Sequence, residues 1–316
     1  MKRFLLKLLI FVLPFLITYP FLEYQLKILP NSYNPKREYL ESQLNEIKII
    51  STGSSHGNSI NPLFFEQKGF NISQNSQDLY YDTKLVEKYL DKLPELKLII
   101  MPISYFSMEV QIDHSPQSWR GPFHKLIWGI PTQSLSSQLN ISNFSFTAAY
   151  GWYTVANYII SGDDHGILRD EPQQIKNNGW RDVGNQEIQE NSEEERSGWQ
   201  SVSINESTMH PENIKVNMDL LSELIEKCQS HGVQIVFITT PVYHYYYEHI
   251  DPFKYKRMQE MINYLVSKYH IFYFNYLKDA RFINSDFFNR DHLNSNGAEK
   301  FTKIINDDFI RAYFKE

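Results

Sequence analysis

The chain has 316 residues and a mass of 37.5 kDa, enough for one large α/β unit or two smaller domains. Apolar residues make up 42%, charged residues 22% and aromatics 15%, which supplies a core and excludes an intrinsically disordered chain. Thirty-one basic against 37 acidic residues give a net charge of −6, so no positive surplus is available to release counterions from nucleic acid, which is not an expected partner.

The first feature in chain order is a basic cluster, Lys2, Arg3 and Lys7, ahead of an uncharged apolar run from Leu8 to Leu22 that stops at Glu23. With Phe4, Leu5 and Leu6 included and Lys7 snorkelling, the run approaches the roughly 20 residues that cross a bilayer. The sequence after Leu22 reads Glu23-Tyr24-Gln25-Leu26-Lys27 and offers no small-residue cleavage site. Residues 1–29 therefore read as an uncleaved, single-pass anchor in the cytoplasmic membrane. The basic flank stays in the cytoplasm and the remainder lies outside it. Pro14, Pro20 and the terminal position weigh against a buried core helix.

Residues 30–46, with Pro30 and Pro35, read as a connector to a domain spanning 47–316. Strands are expected at Ile47–Ser51, Phe70–Ser73, Leu98–Met101, Gln234–Thr239 and Ile271–Phe274. Amphipathic helices fall between them: Leu220, Leu221, Leu224, Ile225 and Cys228 share a face that ends at Gly232, and Met258, Met261, Ile262 and Leu265 share another. Cys228, the only cysteine, is expected in the core, and its solitude excludes an internal disulfide or a multi-cysteine metal site. This alternation implies a parallel sheet covered on both faces, with ligands beyond the carboxyl ends of its strands. The interval from Gln111 to Val216 breaks the rhythm and reads as a large insertion, a lid or a substrate platform. Within it we expect one apolar helix around Phe146–Ile160, an exposed turn at Asp163-Asp164-His165 and a solvated loop at the acidic run Glu193-Glu194-Glu195.

Two stretches carry candidate chemistry. After the first strand comes Ser51-Thr52-Gly53-Ser54-Ser55-His56-Gly57, where a serine on a tight turn points its hydroxyl into the crevice and a helix start offers backbone N–H groups. Ser55 is the candidate nucleophile, although a Gly/Ser turn taken alone is structural more often than catalytic. The stretch also satisfies G-x-S-x-G, but that elbow normally follows several strands and here follows none. Near the C-terminus comes Asn289-Arg290-Asp291-His292-Leu293-Asn294, just before a helix with apolar positions at Phe301, Ile304, Ile305 and Phe309. A histidine there can reach across the sheet edge to a serine on the first turn, making the nucleophile–base pair of acyl transfer. His56 is read as a substrate contact or simply part of the helix start. His244 and Tyr243 leave the fourth strand toward the same edge and are possible substrate contacts, but His244, Glu248 and His249 do not have zincin spacing. No phosphate loop or dinucleotide fingerprint occurs, and nothing requires a metal or an organic cofactor.

Gly-Ser-Ser at the first strand and Asp-His-Leu-Asn near the C-terminus, separated by a flavodoxin-like run of strands, resemble the SGNH (GDSL-type) hydrolase superfamily over most of residues 47–312 apart from the insertion. The resemblance is strongest to membrane-anchored members that modify cell-envelope polysaccharides. It implies a three-layer α/β/α domain of about five parallel strands, with Ser55 as nucleophile and His292 as base. Ser76 falls at the position of the family glycine whose backbone N–H serves the oxyanion. At the third strand the family asparagine is absent, and Ser104 or Tyr105 stands there as a possible donor. The family acid lies three residues before the histidine, at Asn289, so Asp291 or Asp286 would have to supply the carboxylate, or Asn289 would orient the ring alone. Implied partners are an acyl-ester donor, a carbohydrate acceptor and a multi-pass membrane protein that delivers acyl groups. The expected function is an extracytoplasmic serine acyl-enzyme that transfers or hydrolyses an O-acyl group, notably acetyl, on an envelope polysaccharide. The competing expectation is a non-catalytic protein of the same fold that binds polysaccharide or assists its assembly.

Overall fold

In the computed structural model, which describes residues 1–162 and 175–315, five short runs form one parallel sheet. Its strands are β1 (Ile49–Ser51), β2 (Gly69–Asn71), β3 (Leu98–Pro102), β4 (Gln234–Thr239) and β5 (Phe272–Asn275), in the spatial order β2-β1-β3-β4-β5. In register, Ile50 pairs with Phe70 on one side and Ile99 on the other, and Ile99 pairs onward with Ile235. The helices that matter here are α1 (Lys2–Lys27), α2 (Tyr33–Glu41), α3 (Leu79–Leu90), α4 (Phe146–Tyr150), α5 (Trp152–Ser161), α6 (Ser192–Ser207), α7 (Ile214–Ser230), α8 (Pro252–Tyr269) and α9 (Ser295–Ile305).

The described residues divide into two compact units, 1–34 with 119–162 and 35–118 with 175–315. In the second unit the pleat sorts the core. Ile49, Leu98, Ile100, Val236 and Ile238 meet Phe301, Ile305 and Phe309 on one face of the sheet. Ile50, Ile99 and Phe237 alternate to the other face, the side of α3, α7 and α8. Each such aliphatic side chain stabilises the fold by about 2 kcal/mol relative to exposure. Leu221, Leu224, Ile225 and Cys228 are all buried on α7, and burial pushes the Cys228 thiol up to about 12, as suits a core residue. β5 is an edge strand, and its Phe272 is correspondingly exposed.

Within residues 30–46 lies a helix, α2, with Leu40 and Lys36 buried, and the Lys36 ammonium donates to the Ser73 carbonyl. Two local expectations change. The acidic run Glu193-Glu194-Glu195 is the first turn of α6 and not a loop. Asn191 caps this turn by accepting from the Glu193 and Glu194 N–H groups, and carboxylates are favourable at a helix N-terminus. The apolar helix expected around Phe146–Ile160 is two helices, because Gly151 adopts φ +94° between α4 and α5. Asp163-Asp164-His165 lies outside the described residues.

In the first unit, α1 is apolar and long enough to cross a membrane. Its 26 residues span about 39 Å, against about 30 Å for the hydrocarbon core of a bilayer. Elsewhere in this unit the Phe123 ring meets Tyr150 edge-on at 5.1 Å and packs 6.0 Å from Tyr33.

Candidate active site

The turn after β1 is fixed from behind by a buried carboxylate. Thr52 Oγ1 donates to Asp82 Oδ1, the Gly53 N–H reaches the same oxygen at 2.7 Å, and Gln77 Nε2 reaches it at 2.7 Å. Burial pushes the Asp82 carboxyl up to about 6 despite these three donors. Gly53 sits at φ +117° with Pro102 beside it, a conformation that favours glycine. A Cβ on Gly57 would stand 2.5 Å from the Thr52 carbonyl oxygen and 2.6 Å from Ser73 Cβ, so only glycine fits there. Between these glycines Ser55 opens a short 3₁₀ turn, Ser55–Ser59, with its hydroxyl toward the crevice.

His292 arrives from the other end of the chain. Phe287 bridges Leu293 in antiparallel fashion, and the Phe288 N–H donates to the His292 carbonyl, closing a tight loop. Asn289 shapes that loop: its Oδ1 accepts from the Asp291 N–H at 3.2 Å and the His292 N–H at 3.0 Å. The result places His292 Nε2 at 2.8 Å from Ser55 Oγ. On the far side of the ring, Nδ1 lies 3.0 Å from Asn289 Oδ1 and 3.0 Å from Asp291 Oδ1. With Ser55 donating to Nε2, the proton sits on Nδ1 and is shared by these two oxygens.

Asp291 is the anionic member of the group. Burial alone would raise its carboxyl, but the imidazoles of His292 and His56 hold it well below the usual carboxylate range. His56 is itself buried, with its Nε2 at 3.9 Å from Asp291 Oδ2 and its ring edge-on to His292 at 5.2 Å. Burial lowers its pKa and keeps it neutral near pH 7. Its Nδ1 meets Ser104 Oγ at 2.8 Å.

The structure therefore brings Ser55, His292, Asp291 and Asn289 together, and adds His56 to them. Ser76 joins the same cavity, but Ser104 does not line it, since its hydroxyl is turned to His56. Tyr105 is buried with its hydroxyl toward the Val202 carbonyl. Asp286 instead pairs with Lys300 at 2.6 Å. Ser76 adopts φ +57°, the left-handed region, which accounts for glycine being the natural occupant of such a position. Among the described residues, neither the Ser55 N–H nor the Ser76 N–H donates to a protein acceptor. Tyr243 and His244 do not line the cavity: Tyr243 donates to Glu190 at 2.6 Å, and His244 faces Glu248 at 3.6 Å.

The cavity beside Ser55 has a volume of about 220 Å³ and is walled by Pro102, Phe106 and Val110, with Ser107, Gln117 and Asn205 as polar groups. His56, Asp291 and His292 present ligand atoms within 4.8 Å of one another, a spacing compatible with a metal ion.

No family model matches the chain, and no curated protein matches it. Solved structures do resemble it. One is a Bacteroides fragilis NCTC 9343 protein assigned as an acylhydrolase, at 10% identity and a TM-score of 0.40, covering 90% of this chain and 98% of that one. Another is a GDSL-like lipase from Bacteroides thetaiotaomicron VPI-5482, at 11% identity and a TM-score of 0.41, covering 89% of this chain and 100% of that one. The sheet order and the side-chain geometry described above stand independently of this likeness.

Proposed function

We propose that this chain is a membrane-anchored serine acyl-enzyme that acts outside the cytoplasm on O-acyl groups, notably acetyl, of an envelope polysaccharide. The observation that carries the reading is the chain of contacts from Ser55 Oγ through His292 to Asn289 and Asp291. As Ser55 Oγ bonds to the acyl carbonyl carbon, His292 Nε2 takes the hydroxyl proton and Asp291 stabilises the imidazolium. The oxyanion meets the N–H groups of Ser55 and Ser76. Collapse breaks the bond to the leaving alkoxide, which takes the proton from His292 and leaves an acyl-Ser55. An incoming hydroxyl, from a sugar or from water, then gives its proton to His292 and bonds to the acyl carbon. Collapse of the second intermediate returns the proton to Ser55 Oγ.

A cavity of about 220 Å³ is smaller than the roughly 300–1,000 Å³ of drug-sized ligand sites, which favours a short acyl group. Its serine, glutamine and asparagine side chains suit hydroxyl-rich acceptors. The apolar run of α1 and the basic residues Lys2, Arg3 and Lys7 that open the helix favour an anchored protein with the domain outside. An acyl-ester donor, a carbohydrate acceptor and a multi-pass membrane protein that passes acyl groups are the proposed partners.

The test is intact-mass spectrometry of the purified full-length protein after a short exposure to p-nitrophenyl acetate. An acetyl adduct on Ser55 that is shed faster when an acceptor sugar is added supports transfer, and equal loss into buffer supports hydrolysis. An adduct that persists in Ser55→Ala contradicts the reading.

A further inference from the structure

The first unit carries a large exposed apolar face next to α1. On α5, Trp152, Tyr153, Ala156, Ile159 and Ile160 recur at helical spacing and share one side, all exposed; Tyr153 is 79% and Ile160 84% accessible. The stretch before α4 adds Leu135, Leu139, Ile141 and Phe144, also exposed, with Leu139 at 84%. Single exposed apolar residues are ordinary, whereas a row of them recurring along one side of a helix marks a contact surface.

Two further observations identify what covers it. First, the sequence has no charged residue between Lys125 and Asp163, although charged residues make up 22% of the chain. A water-facing surface of this length would carry several charges, and a face that meets lipid carries none. Second, this surface is tied to the end of the apolar part of α1. Glu23 closes that run and accepts from the Phe146 N–H at 2.7 Å, the Thr147 N–H at 3.1 Å and Ser145 Oγ at 2.8 Å. One turn earlier, Tyr19 donates to Ser145 Oγ at 2.9 Å. The N-terminus of α4 is thereby held at the depth where α1 passes from hydrocarbon to headgroups. Tryptophan and tyrosine, which α5 presents at its start, are the residues that favour that depth.

We propose that α5, with residues 135–144 before α4, lies in the headgroup region of the same lipid bilayer that α1 crosses, with its apolar face inserted by about 5–10 Å. The proposal rests on the membrane-anchor reading given above. It assigns the exposed tryptophan, tyrosine and isoleucines to lipid contact. It also holds the first unit against the bilayer by a surface as well as by a single helix.

The test uses the full chain with Cys228→Ala, reconstituted in vesicles of phosphatidylglycerol and phosphatidylethanolamine. Single Tyr153→Cys, Ile160→Cys, Phe11→Cys and Tyr264→Cys variants carry an environment-sensitive dye. We expect lipids with a shallow nitroxide to quench the dye at 153 and 160 several-fold more than at 264, while aqueous iodide quenches it several-fold less. Position 11 should respond most to a deep nitroxide. If 153 and 160 behave like 264 while 11 is buried in lipid, the proposal is overturned and the anchor stands. If 11 is also open to iodide, the anchor reading itself fails. Shielding of 153 and 160 that appears in native membranes and not in the pure lipid vesicles would assign the face to a membrane protein and overturn the lipid assignment.

Discussion

Asp291 and His292 are adjacent in sequence, yet the Asp291 carboxylate lies 3.0 Å from His292 Nδ1. Neighbouring side chains usually diverge. They converge here because Asn289 Oδ1 gathers the backbone N–H groups of both residues and folds the loop back on itself. Asn289 thus shapes the turn and touches the ring, while Asp291 supplies the charge.

This division of labour predicts unequal mutants. Asp291→Asn should lower kcat by about 10²–10⁴-fold, the upper figure being the loss seen when a serine-protease triad loses its carboxylate. Asn289→Asp should keep activity, and adding it to Asp291→Asn should restore much of what was lost, since a carboxylate then again faces Nδ1. Steady-state hydrolysis of p-nitrophenyl acetate measures all three. Full activity in Asp291→Asn would assign the ring's orientation to Asn289 alone.

The oxyanion assignment depends on a backbone group and not on a side chain. Ser76 sits at φ +57°, where glycine is about 1 kcal/mol easier to accommodate than serine. Ser76→Gly should therefore leave kcat within a few-fold and raise the melting temperature slightly. A large drop in kcat would mean that the Ser76 hydroxyl takes part.

Gly57 should tolerate no side chain. In Gly57→Ala the Cβ meets the Thr52 carbonyl and Ser73, so the turn carrying Ser55 must move. We expect about 1–3 kcal/mol of destabilisation in urea melts and a loss of acylation larger than the loss of folded protein explains. Unaltered acylation would mean that Ser55 does not depend on this turn.

Stability should depend on pH through Asp82. Its folded pKa of about 6 exceeds the usual 3.8, so between these values the folded state binds more protons than the unfolded state, and stability falls as pH rises through this window. The difference corresponds to at most about 3 kcal/mol above pH 7. Asp82→Asn retains an accepting oxygen for Thr52, Gly53 and Gln77 without the charge. Relative to wild type it should gain stability at pH 8, and the gain should shrink toward pH 4. A difference that does not vary with pH would contradict the assignment.

The central strands β1, β3 and β4 were legible because each is a short isoleucine- and valine-containing run buried in the sheet between helices of clear period, whereas the edge strands β2 and β5 are short aromatic runs, β5 with Phe272 exposed. Cys228 was legible as core for the same reason, and the approach of residues 55 and 292 followed from a first turn and a last loop lying at the same sheet edge. What escaped the sequence was contact made by folding back. The convergence of Asp291 on its neighbour depends on an Asn289 side chain bonding backbone, which no spacing reveals. Asp82 lies 27 positions after Ser55 and supports its turn from α3, where it reads as an ordinary helix residue. Ser104 looked available at a strand end because its partner, His56, is distant in sequence and buried only in three dimensions. The break at Gly151 and the capping of α6 by Asn191 were visible signals, a glycine within an apolar run and an asparagine before acidic residues, that the overall irregularity of the region obscured.

The central claim is that Ser55 is an activated nucleophile, and fluorophosphonate labelling of the full-length protein tests it most directly. We predict that wild type is labelled, that Ser55→Ala is not, and that His292→Ala is labelled at least 10²-fold more slowly, as expected for loss of a general base. Well-folded wild-type protein that stays unlabelled would contradict the account and leave a polysaccharide-binding protein of the same fold as the better description.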